Sequence, residues 1–220
     1  MMLGLRVATF SGVNAMKIPD FFPIKIHSGR AMFASATFSS AVFNLDGLFE
    51  FYDGTRSDGA DSMFLQMNGV DEIVWTNQSS TSLTSLQGFF RDPRVKKIKM
   101  TGWSCPNVTN LNNMFSTARV LEYLDCRGSI FGTETSCASM FIYDVKLTQY
   151  WPHESGFHVD VSLAHCPLDV DSAIRVMNAL KESTATCTLN NSLKSTYEAS
   201  SDFVAARDDA ISRGWTIEWR

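Results

Sequence analysis

Apolar residues recur along the middle of the chain at a nearly fixed distance. Met63-Phe64, Phe89-Phe90, Met114-Phe115 and Met140-Phe141 are aromatic-ended pairs, and their second residues lie 25 or 26 positions apart. Each pair is followed by an apolar cluster: Val70, Ile73 and Trp75; Val95, Ile98 and Met100; Leu121, Leu124 and Cys126; Leu147 and Tyr150. The last positions alternate, as in Ile73-x-Trp75 and Ile98-x-Met100, and period two predicts a strand with one buried face. The aromatic pair sits about one short helical turn earlier and fills the same core from the other side. One such unit cannot bury its apolar face alone, so the units must stack, and a period in the twenties predicts a solenoid. Its strands form a parallel ladder, with Phe64, Phe90, Phe115 and Phe141 as an internal row of rings.

The pattern changes toward both ends. Val7 to Phe10 reads as a short strand, and Pro19 and Pro23 make the segment around Phe21 and Phe22 extended or turning. Residues 1–30 are therefore expected to be an N-terminal cap or a docking segment. Residues 31–168 are assigned to the solenoid. Its worn first unit starts at Met32-Phe33 or at Thr37-Phe38; Phe38 lies a full period before Phe64 and is the favoured frame. Val159-x-Val161-x-Leu163 alternates and is expected to be the last ladder strand. Residues 169–220 form a C-terminal cap. Val170, Ala173, Ile174, Met177 and Leu180 mark an amphipathic helix with Asp169 as N-cap. A strand at Thr186 to Leu189, a helix from Ser201 through Ile211, a stop at Gly214 and a closing strand at Trp215 to Trp219 follow.

Two stretches carry a family resemblance. Thr109-Asn110-Leu111-Asn112-Asn113-Met114-Phe115, with Ala118, Leu121 and Leu124-Asp125 after it, resembles the BspA-type leucine-rich repeat. The segments Leu168 to Leu180, Cys187-Thr188-Leu189 and Gly214-Trp215-Thr216-Ile217 resemble the C-terminal part of BspA-type repeat proteins of bacteriophage genomes. The resemblance implies an α/β repeat fold: a leucine-rich-repeat-like solenoid with a parallel strand ladder and an α/β C-terminal cap. It also implies a phage origin.

Composition narrows the function classes. The chain has 220 residues, is 45% hydrophobic and carries a net charge of −4. No Lys/Arg cluster stands out along the sequence, so nucleic acid is not an expected partner. No apolar run reaches the ~18–20 residues of a membrane span, and membrane insertion is not expected. The five cysteines are odd in number and form no Cys-x-x-Cys, which reads as buried free thiols. Asp46, Asp53, Asp58 and Asp61 lack the spacing of a calcium loop and read as solvated turns. His153, His158, Asp160 and His165 sit on an irregular segment and read as surface or packing residues rather than metal ligands. No nucleophile elbow, phosphate-cradling loop or dinucleotide fingerprint occurs. Catalytic, cofactor and metal residues are thus expected to be absent.

The expected function is a non-enzymatic bacteriophage virion protein, as a tail-fibre, receptor-binding or capsid-decorating component. The alternatives are a bacterial surface adhesin and a glycan-cleaving tailspike component. Expected partners are other virion proteins, copies of itself, or a host surface protein or glycan. Residues between the buried ones of each strand must point outward. They are Glu72, Val74 and Thr76; Lys97, Lys99 and Thr101; Tyr123, Asp125 and Arg127; and Gln149, Trp151 and His153. Strands ~4.8 Å apart would join these into one binding surface.

Overall fold

The computed structural model describes residues 24–134 and 136–220. The expected strand at residues 7–10 and the docking residues Phe21 and Phe22 lie outside them. Along the first part of the chain run β1 (Ile24–Ile26), β2 (Thr37–Asn44), β3 (Phe49–Phe51), β4 (Asn68–Val74) and β5 (Lys97–Lys99). Then come β6 (Ser104–Cys105), β7 (Tyr123–Asp125), β8 (Ile130–Phe131), β9 (Gln149–Trp151) and β10 (Val161–Ser162). The last part holds α1 (Val170–Ala179), β11 (Thr186–Leu189), α2 (Lys194–Glu198), α3 (Ser201–Ser212) and β12 (Thr216–Trp219). The sheets pair in parallel, which makes this an α/β protein.

The largest sheet runs β2-β4-β5-β7-β9, in chain order. Ile73, Ile98, Leu124 and Tyr150 face one another in register and are fully buried. A second, two-stranded pairing joins β6 to β8. Behind the large sheet the phenylalanine rings stack: Phe64 on Phe90 at 4.8 Å, Phe90 on Phe115 at 5.9 Å and Phe115 on Phe141 at 5.7 Å. The row is extended by Phe33, stacked on Phe64 at 5.2 Å. This corrects the favoured frame, because Phe38 lies in β2 and is only partly buried. The irregularity is local: the β2–β4 register shifts between Thr37 and Ser40, and Gly69, at φ +85°, lies so close to the Phe38 carbonyl that a Cβ would overlap it. That shift takes up one residue, between the pairing of Thr37 with Asn68 and that of Ser40 with Val70.

The aromatic pairs sit on tight turns rather than helix. Ala31, Ser62, Gly88, Asn113 and Ser139 have φ of +53° to +61°, and Ser35, Gln66, Asp92, Thr117 and Tyr143, four residues further on, have φ of +50° to +64°. Left-handed backbone costs a non-glycine residue about 1 kcal/mol. Each turn recovers this through amide bonds to the next: Phe64 N–H to Phe89 O, Phe90 N–H to Met114 O and Phe115 N–H to Met140 O.

Polar side chains tie segments one period apart. Asp46 accepts from Thr76, Asp53 from Thr81, and Asp61 from Ser85 and Gln87. Asp58 pairs with Arg30 and Arg56. The acidic run at 46–61 is therefore a set of ties between neighbouring segments. The buried indoles are satisfied in the same way, with Trp75 Nε1–H donating to Phe49 O at 3.1 Å and Trp103 Nε1–H to Trp75 O at 2.7 Å.

The C-terminal part covers the β9 end of the large sheet. Asp169 caps α1 by accepting from Ser172 N–H, and Ser172 Oγ in turn accepts from Tyr150 N–H at 3.0 Å. Asp169 N–H bonds Thr148 O at 2.8 Å. These bonds occupy the edge of β9, so Val161 does not extend that sheet. It pairs instead with Cys187, in a separate sheet of order β10-β11-β12, which corrects the expected last ladder strand. The short helix α2 has no counterpart in the sequence pattern; it buries Tyr197, whose hydroxyl donates to Leu168 O at 2.7 Å. Gly214, at φ +101°, ends α3 as expected, with the Ser183 carbonyl where a Cβ would stand. No helix among the described residues is long and apolar enough to cross a membrane.

Candidate functional site

The outward positions of the large sheet fall into columns. Glu72, Lys97, Tyr123 and Gln149 share one, and Val74, Lys99, Asp125 and Trp151 the next. Thr76, Thr101, Arg127 and His153 continue the alternation just past the strand ends. Ten of the twelve expected surface residues are exposed or half-buried. Within the grid Lys99 Nζ pairs with Glu72 at 2.8 Å.

Asp125 and His153 depart from the expectation. Asp125 is only 2% exposed. Arg127 lies over it with Nε–H to Oδ1 at 2.9 Å and Nη2–H to Oδ2 at 2.7 Å, while the Tyr123 hydroxyl donates to Oδ2 at 3.2 Å. Burial pushes its carboxyl up, but the Arg127 bonds outweigh that and hold it below the usual carboxylate value. Asp125 therefore positions Tyr123 and Arg127 and is not itself a contact residue. His153 is also only 2% exposed. Pro152 follows the last β9 residue and has no N–H to continue the strand, so the alternation stops and the imidazole turns inward between Phe131 and Phe157.

The aromatic and cationic residues converge at the β7–β9 end. The Tyr123 and Trp151 rings lie 4.9 Å apart. Arg127 stands 5.3 Å and Arg175 4.3 Å from the Trp151 ring centre. Arg175 belongs to α1 and is braced by Ser172 Oγ at 3.1 Å. Beside them opens a shallow cleft of about 310 Å³, shared by Arg127, Trp151, Arg175, Asn178 and Lys181. Sequence reasoning missed Arg175, Asn178 and Lys181. Nothing in the helical pattern marks them; only the docking of α1 on β9 brings them to Trp151.

The histidines of the irregular segment divide. His158 Nδ1 lies 2.9 Å from Glu134 Oε2, and His153 Nε2 lies 3.4 Å from Oε1 of the same buried carboxylate. Burial raises the Glu134 carboxyl and lowers the His153 imidazole to about 3. His165 stacks on Tyr143 at 4.9 Å, and Asp160 accepts from Thr186 N–H. Among the described residues no three His, Cys, Asp or Glu side chains are arranged to hold a metal ion. All five cysteines are buried and free. Burial pushes the thiols up, to about 12 at Cys105 and Cys187, which keeps them protonated near neutral pH and poorly nucleophilic.

Comparison with protein families, with curated proteins and with solved structures returned no match.

Proposed function

We propose that the chain is a leucine-rich-repeat-like solenoid serving as a non-enzymatic interaction module of a bacteriophage virion. The parallel order β2-β4-β5-β7-β9 and the row of stacked rings from Phe33 to Phe141 support the solenoid. The phage assignment rests on the resemblance of residues 168–217 to C-terminal segments of phage repeat proteins. The observation that carries the binding role is the cluster Tyr123, Arg127, Trp151 and Arg175, prepared on the outer face by Asp125 and Ser172. Tyr, Trp and Arg dominate binding energy at interfaces, and a prearranged cluster loses little side-chain freedom on binding. Partner proteins of the particle, copies of this chain, or a host surface protein or glycan fit such a face.

The test is a Tyr123→Ala, Arg127→Ala, Trp151→Ala variant whose circular dichroism matches the parent. Loss of particle assembly or of adsorption to host cells is the expected result. A variant that assembles and adsorbs like the parent removes this face from the reading. Absence of the chain from purified particles by mass spectrometry removes the virion assignment.

A further inference from the structure

A second cleft, larger than the one beside Trp151, lies away from the sheet face. It is open, encloses about 780 Å³, and shares no lining residue with the grid of outward sheet positions. Arg91, Arg94 and Arg119 line it, together with Asp92, Asn113 and Thr117. Arg91 and Arg94 flank Asp92-Pro93, and Arg119 comes one period after Arg94. The left-handed turns at Asp92 and Thr117 set the two segments side by side, with Asp92 N–H donating to Ser116 O at 2.7 Å.

The three guanidiniums are unlike most arginines of this protein. Arg30, Arg56, Arg127, Arg207, Arg213 and Arg220 each pair with a carboxylate. Among the described residues no carboxylate comes within 4.0 Å of Arg91, Arg94 or Arg119. The one acid in the cleft, Asp92, accepts from the Gln66 amide at 3.3 Å instead. Arg119 lies near the Tyr143 ring, 5.8 Å from its centre. A molecule of net charge −4 thus gathers in one cleft three cations that pair with no carboxylate among the described residues. Concave walls focus their field, and guanidinium forks match planar or tetrahedral anions bidentately.

We propose that this cleft binds an acidic saccharide, a sugar bearing a carboxylate, sulfate or phosphate group. The arginines take the anion. The Asn113 amide supplies donors and an acceptor for sugar hydroxyls, and the Thr117 hydroxyl, which donates its own proton to Ser116 O, and Asp92 supply acceptors. Single-stranded nucleic acid fits less well, because no aromatic ring lines the cleft for base stacking. The proposal does not depend on the role of the sheet face, and each can fail without the other.

The experiment measures binding of the full chain to immobilised polygalacturonate, dextran sulfate and phosphomannan, with neutral dextran and oligothymidylate as comparisons. The three acidic polymers separate carboxylate, sulfate and phosphate as the recognised group. At least one should bind at about 50 mM salt and weaken as salt rises. Arg91→Gln, Arg94→Gln and Arg119→Gln, each made singly, should each raise Kd by about tenfold, the loss of one charge-assisted pair. A control variant with Lys146→Gln, Lys194→Gln and Arg220→Gln should bind like the parent. The proposal is overturned if no acidic polymer binds, if the three arginine variants bind like the parent, or if the control loses as much. Tighter binding of oligothymidylate through the same arginines overturns it in favour of nucleic acid.

Discussion

Asp144 is a buried carboxylate that links folding to pH. It occupies the position, three residues after the stacked Phe, that is held by Ala36, Met67, Pro93 and Ala118 along the chain. Its Oδ1 accepts from Ala118 N–H at 2.8 Å, and its Oδ2 has no partner. Burial raises the carboxyl from 3.8 to about 8. Between those values the folded chain holds a proton that the unfolded chain has released. Its contribution to stability is therefore full below pH 3.8 and is lost as pH rises to about 8, at about 1.4 kcal/mol per pH unit. His153 acts in the opposite sense: its folded value of about 3 lies below 6.5, so stability is lost as pH falls through that window. Asp144→Asn keeps the acceptor for Ala118 and removes the charge. Denaturant melts of variant and parent should differ by a gap that widens in the variant's favour from pH 4 to pH 8. A gap independent of pH would mean that Asp144 is not proton-linked to folding.

The strands are short, three residues each in β5, β7 and β9, so pairing alone holds the large sheet weakly. The ring row behind them supplies the cohesion. Phe115 is fully buried and stacks on both Phe90 and Phe141. Phe115→Ala should cost about 3–5 kcal/mol, a large part of the stability of a typical domain. Chemical denaturation of the variant checks this, and a loss below about 1 kcal/mol would show that the row does not carry the fold. Trp151 is the control: it is half-buried on the outer face, and its removal should cost far less.

The molecule has to close the β9 end of its sheet, and residues 169–220 do so. The Ser172 hydroxyl bonds the Tyr150 amide, α1 covers the adjoining core, and the Tyr197 hydroxyl bonds Leu168 O. An uncovered parallel edge pairs with other chains. A chain ending at Leu168 should therefore form aggregates by light scattering at concentrations where the full chain stays dispersed. A truncated chain that remains monomeric with an unchanged melting midpoint would leave this segment without a capping role.

Periodicity along the chain was enough to place the core. The spacing of the Met-Phe pairs foretold the ring row from Phe64 to Phe141, and the alternation around Ile73, Ile98, Leu124 and Tyr150 foretold which strand face is buried. These are local consequences of side-chain direction, and each needs only a few neighbouring residues to read. Coverage is different, because it depends on groups brought in from elsewhere. Asp125 points outward as its strand position requires, yet Tyr123 and Arg127 close over it. His153 turns inward because Pro152 ends the strand beside two phenylalanines. Phe33, not Phe38, heads the ring row, because Phe38 is taken into β2, which the spacing alone does not reveal. The cationic cleft went unseen for the same reason: Arg119 lies 25 residues after Arg94, and only the packing of adjacent left-handed turns brings it beside Arg91 and Arg94.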